Sequence, residues 1–428
     1  MAKSPKFDTL MIHGGQTPDS ATGSRAVPIY QTTSYVYENA QRAAEIFDLK
    51  ASGYIYSRID NPTVDVLEKR VALLEGGTGA VATASGMSAI LYSVLNICEV
   101  GDEVVAAVTL YGGTHTLFSD RMLKQYGIKV HLVDADDPAA FEAKFNEKTR
   151  CVYFESMGNP GINIPDIEGI CEAAHRHGIP VICDNTFGTP YLVQLKDHGV
   201  DIVVHSLTKY MGGHGTSIGG IVVDLGTFNW ANGRYPMFTE PDETYHGVVY
   251  GADMPRAYIT KLRTQLLRDT GACMSPFNAF LILQGIETLS LRMDRHCQNA
   301  LEVANRLAAH DMVESVCYPA LEGNKYYDRA RKYFKKGCGA ILTFNIKGGV
   351  AAGKTFIDSL ELFSLLANVA DAKSLVIHPA STTHGQMSEE ALVAAGIEPG
   401  MIRLSIGLED VEDIWEDLER GLEAARKG

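Results

Sequence analysis

The chain has 428 residues, 46% hydrophobic and 21% charged, with a formal net charge of −14. That length exceeds what one hydrophobic core sustains, so at least two domains are expected. The acidic balance argues against non-specific nucleic-acid binding and against docking on anionic membranes, which both need a cationic surface.

The amino-terminal stretch "MAKSPKFDTL" lacks the apolar core of a signal peptide. Residues 1–61 are polar, carry glycines and aromatics, and show no strong periodicity, which predicts an extended arm. From Pro62 the run "PTVDVLEKRVALLEG" has helical spacing. Residues 79–98 carry no charge. They suggest a membrane span until Thr83, Ser85, Gly86, Ser88, Ser93 and Asn96 are noticed, and the run then reads as a buried strand followed by a helix. Short β-rich runs follow: "DEVVAAV", "KVHLVD", "TRCVYFES", "IPVICDNT" and "DIVVHS". Helical stretches such as "IPDIEGICEAAHRHG" separate most of them, which predicts a mainly parallel sheet covered on both faces. After "GGIVVDLG" comes an irregular, aromatic-rich segment, Thr227–Pro255. Long helical patterns run to His310, and the part from "AILTFNIKGG" onwards reads as a smaller α/β domain. The expected division is an arm over 1–61, a large domain over 62–270 with an insertion at about 227–255, and a C-terminal domain over 271–428.

The cysteines Cys98, Cys151, Cys171, Cys183, Cys273, Cys297, Cys317 and Cys338 form no C-x-x-C pair. Zinc-knuckle and thioredoxin chemistry therefore lack support, no metal site is expected, and free thiols in a reducing cytoplasm are expected.

Ligands of open α/β sheets bind beyond the carboxyl ends of the strands. At those ends the sequence places Ser85, Gly86 and Met87 opening a helix, Tyr111 before Gly112 and Gly113, Asn159, Asp184, and then Ser206, Thr208 and Lys209. Backbone N–H groups at a helix start suit a phosphate. A lysine removed from water loses its proton more readily, and a neutral amine forms a Schiff base with an aldehyde. A buried aspartate needs a cation, which a pyridinium nitrogen supplies. Tyr111 offers a flat face to a ring. The set matches pyridoxal 5′-phosphate. Each member alone has a plainer reading: Asp184 as a turn former, Lys209 as the start of a solvated loop, His175 and His177 as a helix end, His205 as a packed strand residue. The glycine-rich "GGHGTSIGG" precedes a strand and is no dinucleotide fingerprint.

The motifs "YIYSRIDNPT", "ATASGMSAI", "LYGGTH", "GNPGINIPDI", "CDNTFGTP", "HSLTKYMGGHG", "HPASTTH" and "IRLSIGLED" resemble those of the pyridoxal-phosphate enzymes of cysteine and methionine metabolism, the cystathionine γ-synthase-like family. The resemblance covers nearly the whole chain. It implies a fold of the aspartate aminotransferase-like type I, a pyridoxal-phosphate-dependent transferase fold. It also implies roles: Lys209 carries the cofactor and shuttles protons, Asp184 pairs with the ring nitrogen, and Tyr111 stacks on the ring. Ser85, Gly86, Met87, Ser206 and Thr208 hold the phosphate, and Tyr56 and Arg58 reach the phosphate of a neighbouring subunit. Arg403 clamps the substrate carboxylate, with Asn159, Ser374 and Tyr56 nearby. A homo-oligomer follows from this, a tetramer built from dimers that share active sites.

The segment Thr227–Pro255 resembles an insertion typical of the branch that sulfhydrylates O-acetylhomoserine. It is a candidate cover for the site mouth or a subunit-packing loop. The expected reaction is γ-replacement on O-acetyl-L-homoserine by sulfide or methanethiol, giving L-homocysteine or L-methionine and acetate. The alternatives are a methionine γ-lyase or cystathionine γ-synthase type of activity, and a non-turnover role as a cofactor-bound partner or regulatory protein. Gly113 stands where γ-lyases often carry cysteine, and Lys373, before Ser374, would repel the distal ammonium of a larger nucleophile. Two departures from the pattern are "SMGNP", where T-P-x-N-P is common, and Ala370, where glycine is common.

Overall fold

The structure, a computed structural model, describes residues 5–245, 247–253, 256–382, 398 and 400–427. His246, Met254 and Pro255 of the 227–255 segment, and Thr383 and His384 of "HPASTTH", lie outside the described residues.

Each apolar run of the first half forms a strand: β1 Gly79–Thr83, β2 Glu103–Ala107, β3 Lys129–Val133, β4 Thr149–Glu155, β5 Val181–Asp184, β6 Ile202–Ser206 and β7 Gly220–Asp224. They make one sheet of seven strands in the order β1-β7-β6-β5-β4-β2-β3. β7 runs antiparallel to β1 and β6, and the other pairings are parallel. The five residues of β7 are all buried, as are the first four of β6. Full burial on both faces explains why these strands read as continuous apolar runs rather than as alternation.

The helix Pro62–Glu75 has the start and stop that its sequence advertises. Asn61 Oδ1 accepts from Thr63 N, Pro62 occupies the first turn, and Gly76 ends the helix at φ 68°. The uncharged run 79–98 is β1 followed by the helix Gly86–Leu95. No helix among the described residues is long and apolar enough to cross a membrane. His175 and His177 do end a helix, Ile167–Arg176.

Among the described residues the second sheet has five strands: β8 Val313–Cys317, β9 Ile341–Ile346, β10 Ser364–Leu365, β11 Leu375–Ile377 and β12 Met401–Ser405, in the order β10-β11-β12-β9-β8. Only β10 and β11 pair in parallel. The helix Pro276–Ile286 packs on Pro62–Glu75 of the first half, while Leu289–Ala309 packs on β8 and β9.

The arm is less extended than its sequence implies. It contains the helices Phe7–His13 and Ala40–Phe47. They span only seven and eight residues, too few for periodicity to stand out. The second is started by Asn39, whose side chain accepts from Arg42 N at 2.8 Å. Between them Val36 is fully exposed.

The segment 227–255 packs on the body of its own chain. Its described residues do not line the strand-end cavity. Trp230 stacks on Tyr258 at 5.2 Å and packs on Phe238 at 4.6 Å. Tyr235 Oη donates to Arg150 O, Arg234 Nη2 to Thr149 O and Asn232 Nδ2 to Gly178 O. Those carbonyls lie at the amino ends of β4 and β5, the end of the sheet opposite the cavity. Buried aromatics anchored there pack the body, away from this chain's own cavity.

Candidate active site

A cavity of about 440 Å³ opens at the carboxyl ends of the central strands. The first domain supplies Ser85, Gly86, Met87, Tyr111, Glu155, Asn159, Asp184, Ser206, Thr208 and Lys209, and the second supplies Asn368 and Arg403. Ten of the thirteen residues singled out from sequence therefore face one space. Tyr56, Arg58 and Ser374 do not line it. Tyr56 is 40% exposed, with the Arg58 guanidinium 5.4 Å from its ring centroid. Ser374 is fully buried and satisfied within the second domain, donating to Glu409 Oε2 and accepting from Gly407 N. Lys373 is exposed and lies outside the cavity lining, so its charge gives no argument about the nucleophile.

Local sequence explains the placements. Ser85 caps the helix Gly86–Leu95, its Oγ accepting from Ser88 N. That leaves the first N–H groups of the helix without intrahelical partners. Gly86 is required by packing: a Cβ there would stand 2.7 Å from Ser206 Cβ. The close approach of β6 to the helix start places the Ser206 hydroxyl beside those N–H groups. Thr208 Oγ1 is braced by the Gly219 backbone. This corner is a small, hydroxyl-lined anion cradle.

Across the cavity Asp184 ends β5. It is buried, and its Oδ1 accepts from Thr186 N at 2.9 Å. Burial raises its carboxyl above the usual range, and the Thr186 hydrogen bonds oppose the rise. A buried acid without a basic hydrogen-bond partner fits a ligand that brings its own cation. Lys209 Nζ donates to Asn368 Oδ1. Loss of solvent, then the charge of Arg403, pulls the Lys209 ammonium down to about 8, with Asp371 opposing. Arg403, on β12, is buried and donates from Nη1 to Asn159 Oδ1 at 2.9 Å. Burial draws it down to about 10, and arginine stays cationic at neutral pH even so.

Two site residues escaped the sequence reading. Glu155 closes the apolar run of β4 and looks like an ordinary solvated strand end, yet it is buried, and Oε1 accepts from Tyr111 N at 2.6 Å. Asn368 sits in a patternless loop between β10 and β11, and only the docking of the second sheet brings it to Lys209.

An anion cradle, a buried acid with no basic hydrogen-bond partner, a weakly basic lysine and a half-exposed tyrosine ring around one cavity fit a phosphorylated pyridine aldehyde, on the chemistry of the donors alone. The fold and this donor set together define a type I pyridoxal-phosphate enzyme.

The comparisons agree. The model of the Cys/Met metabolism PLP-dependent enzyme family matches residues 8–423, and the chain belongs to that family. The chain is 54% identical to the O-acetyl-L-homoserine sulfhydrylase of Leptospira meyeri, over 99% of this chain and 98% of the relative. It is 49% identical to the homocysteine synthase of Schizosaccharomyces pombe, over 99% of each chain. A solved structure of a putative O-acetylhomoserine (thiol)-lyase from Campylobacter jejuni superposes with a TM-score of 0.95 at 44% identity, covering 98% of this chain and all of that one. It carries N′-pyridoxyl-lysine-5′-monophosphate. Pyridoxal 5′-phosphate is thus the cofactor.

Proposed function

We propose that the protein catalyses γ-replacement on O-acetyl-L-homoserine, with sulfide giving L-homocysteine and acetate, or methanethiol giving L-methionine. The observation that carries this reading is end-to-end similarity to sulfhydrylases in a chain whose cavity gathers the donors the chemistry needs. Bound pyridoxal phosphate supplies an electron sink for charge developing at the substrate α-carbon.

The chain's own residues do the rest. The helix start at Gly86 and Met87, capped by Ser85, with the hydroxyls of Ser206 and Thr208, holds the phosphate. Asp184 is the counter-ion of the ring nitrogen. Tyr111, whose ring lines the cavity, would stack on the cofactor ring. Lys209 would carry the covalent link to the cofactor, and its free amine would be the base for the α-proton. An amine with pKa about 8 is present in both protonation states near neutral pH, which suits proton transfer in both directions. Arg403 takes the substrate carboxylate and Asn159 orients it; a guanidinium fork matches a carboxylate bidentately. Gly113 stands where γ-lyases often carry cysteine, and a Cβ there would stand 2.7 Å from Tyr111 Cε1. Ser374 acts through the loop it braces rather than by touching substrate.

Tyr56 and Arg58 complete the phosphate site of a second copy. Their exposure on the arm, outside their own chain's cavity, supports a homo-oligomer with shared sites, a tetramer built from two such dimers in the cytoplasm. Mixing Arg58→Ala and Lys209→Ala chains should restore activity through hybrid sites, and inactive verified hybrids would place the whole site in one chain.

The deciding assay compares homocysteine formed from O-acetylhomoserine and sulfide with 2-oxobutanoate formed from methionine. Faster 2-oxobutanoate release would replace the sulfhydrylase reading with a γ-lyase.

A further inference from the structure

Glu155 and Asp184 are register partners at the ends of adjacent parallel strands. Paired residues on neighbouring strands point to the same face, and both carboxyls line the cavity. Glu155 is 7% exposed. Its Oε1 accepts from Tyr111 N at 2.6 Å, and the Asn159 N–H is close enough to draw the same carboxyl's pKa downward. The Asn159 side chain in turn accepts from Arg403. One carboxyl group therefore touches the loop that carries the ring-facing tyrosine and the turn that carries the arginine's partner.

We propose that Glu155 is a positioning residue that fixes the Tyr111 loop against the Asn159 turn, and so sets where Arg403 meets the substrate carboxylate. The inference rests on the site roles proposed above. Glu155 works in its neutral form. Its neighbours are an acid and two N–H groups rather than a cation, and burial, then the Asp184 charge, pushes its carboxyl well up against the pull of those N–H groups. Two buried carboxyls side by side do not both ionise. The cofactor's ring nitrogen gives one of them a cation, and Asp184 is the one it serves. Tyr153, on the same strand, adds no positive charge, His205, whose charge also acts on Asp184, is paired with Glu75, and Lys209 and Arg403 are engaged with Asn368 and Asn159. A neutral carboxyl keeps an acceptor for the two N–H groups without adding a second negative charge under the ring.

The test uses the holoenzyme and L-norleucine, an amino acid with no γ-leaving group, whose binding is read from the cofactor's absorption. Glu155→Ala should weaken norleucine at least about tenfold, because both backbone anchors are lost. Glu155→Gln, the nearest isostere of a neutral carboxyl, should bind within about threefold of wild type and leave the pH midpoint of the cofactor absorption within about half a unit. Unchanged norleucine binding by Glu155→Ala would overturn the positioning role. A Gln variant as weak as the Ala variant, or a midpoint moved by about a unit or more, would mean that Glu155 acts as a charge. Norleucine binding does not depend on which γ-reaction follows. Failure to form homocysteine with a normal norleucine response would therefore fault the proposed reaction and leave Glu155 in place.

Discussion

Two lysines of this protein are drawn down to about 8 by loss of solvent, Lys209 at the strand-end cavity and Lys261 in the packed body. By basicity alone they are indistinguishable. Their surroundings differ. Lys209 faces open space with an acid, a buried arginine and hydroxyls around it. Lys261 is closed in: its Nζ donates to Asn96 O at 2.9 Å, just past the helix Gly86–Leu95, and lies 5.8 Å from the Phe238 ring centroid. It serves the orphan carbonyls of a helix end. A perturbed titration therefore marks burial, and access together with convergent partners marks a site.

The sharpest way to break this comparison is to remove each amine. Lys209→Ala should lose the borohydride-reducible cofactor link and at least about 10³-fold in turnover, since both covalent attachment and the α-proton base go. Lys261→Met should keep the cofactor spectrum and turn over at a rate close to wild type. Peptide mapping that finds the reduced adduct on Lys261 would reverse the assignment.

Asp184→Asn is expected to have the next largest effect. A charge-assisted hydrogen bond contributes roughly 1.5–3 kcal/mol, so its loss slows α-proton removal by about one to two decades, with substrate binding less affected. Single-turnover measurement of α-deuterium loss reads this directly, and an unchanged rate would remove Asp184 from the role.

Lys261 has its own signature in stability. Its folded pKa, about 8, lies below the ordinary lysine value of 10.5. The unfolded chain therefore holds the proton more tightly. Stability should rise with pH from about 8 and level off near 10.5, with a slope of at most about 1.4 kcal/mol per pH unit. Lys261→Met should flatten that part of the thermal-unfolding profile in the holoenzyme, where Lys209 is tied to the cofactor. A profile that keeps its slope would mean that Lys261 titrates normally.

The same contrast shows what the sequence could and could not disclose. Lys209, Asp184 and Ser206 were legible because each closes or follows an apolar run, and strand ends of one sheet face one crevice. Lys261 passed unnoticed in a helical pattern because nothing local distinguishes a buried helix lysine from a solvated one. Glu155 was missed for the opposite reason: a carboxylate after "CVYF" looks like the point where a strand meets water, and only the pairing of β4 with β5 buries it. Asn368 depends on the docking of the second sheet, a contact between residues 159 positions apart. The order of the strands, which makes Asp184 and Glu155 neighbours, is a tertiary property. The aromatic residues of 227–255 showed that something would be covered, but not which end of the sheet.

The smallest expected effect concerns Ala370, where the family pattern favours glycine. Its φ is 62°, a region that costs a residue with a Cβ about 1 kcal/mol. Ile162 and Thr189 share this conformation at φ 52° and 53°. These three stand within a few residues of cavity-lining groups, Asn159, Phe187, and Asn368 with Val369, while Leu49, at φ 59°, lies in the arm away from the cavity. The helical stretch around Lys261 has no such residue. Strain of this kind gathers where surrounding structure fixes a functional loop. Here the Ala370 N–H donates to Ser405 Oγ at 2.7 Å, locking the loop that presents Asn368 to Lys209. Ala370→Gly relieves the strain but gives the unfolded chain more freedom, worth about 0.4–1 kcal/mol in the other direction. The two nearly cancel, so the unfolding free energy should change by no more than about 0.5 kcal/mol. If the locked backbone holds Asn368, the freed loop should show in the pH profile of kcat, which follows Lys209, and leave the alkaline stability slope assigned to Lys261 unchanged. A variant that moves the stability slope and spares the kcat profile would show that Ala370 serves packing, as Lys261 does, and not the site.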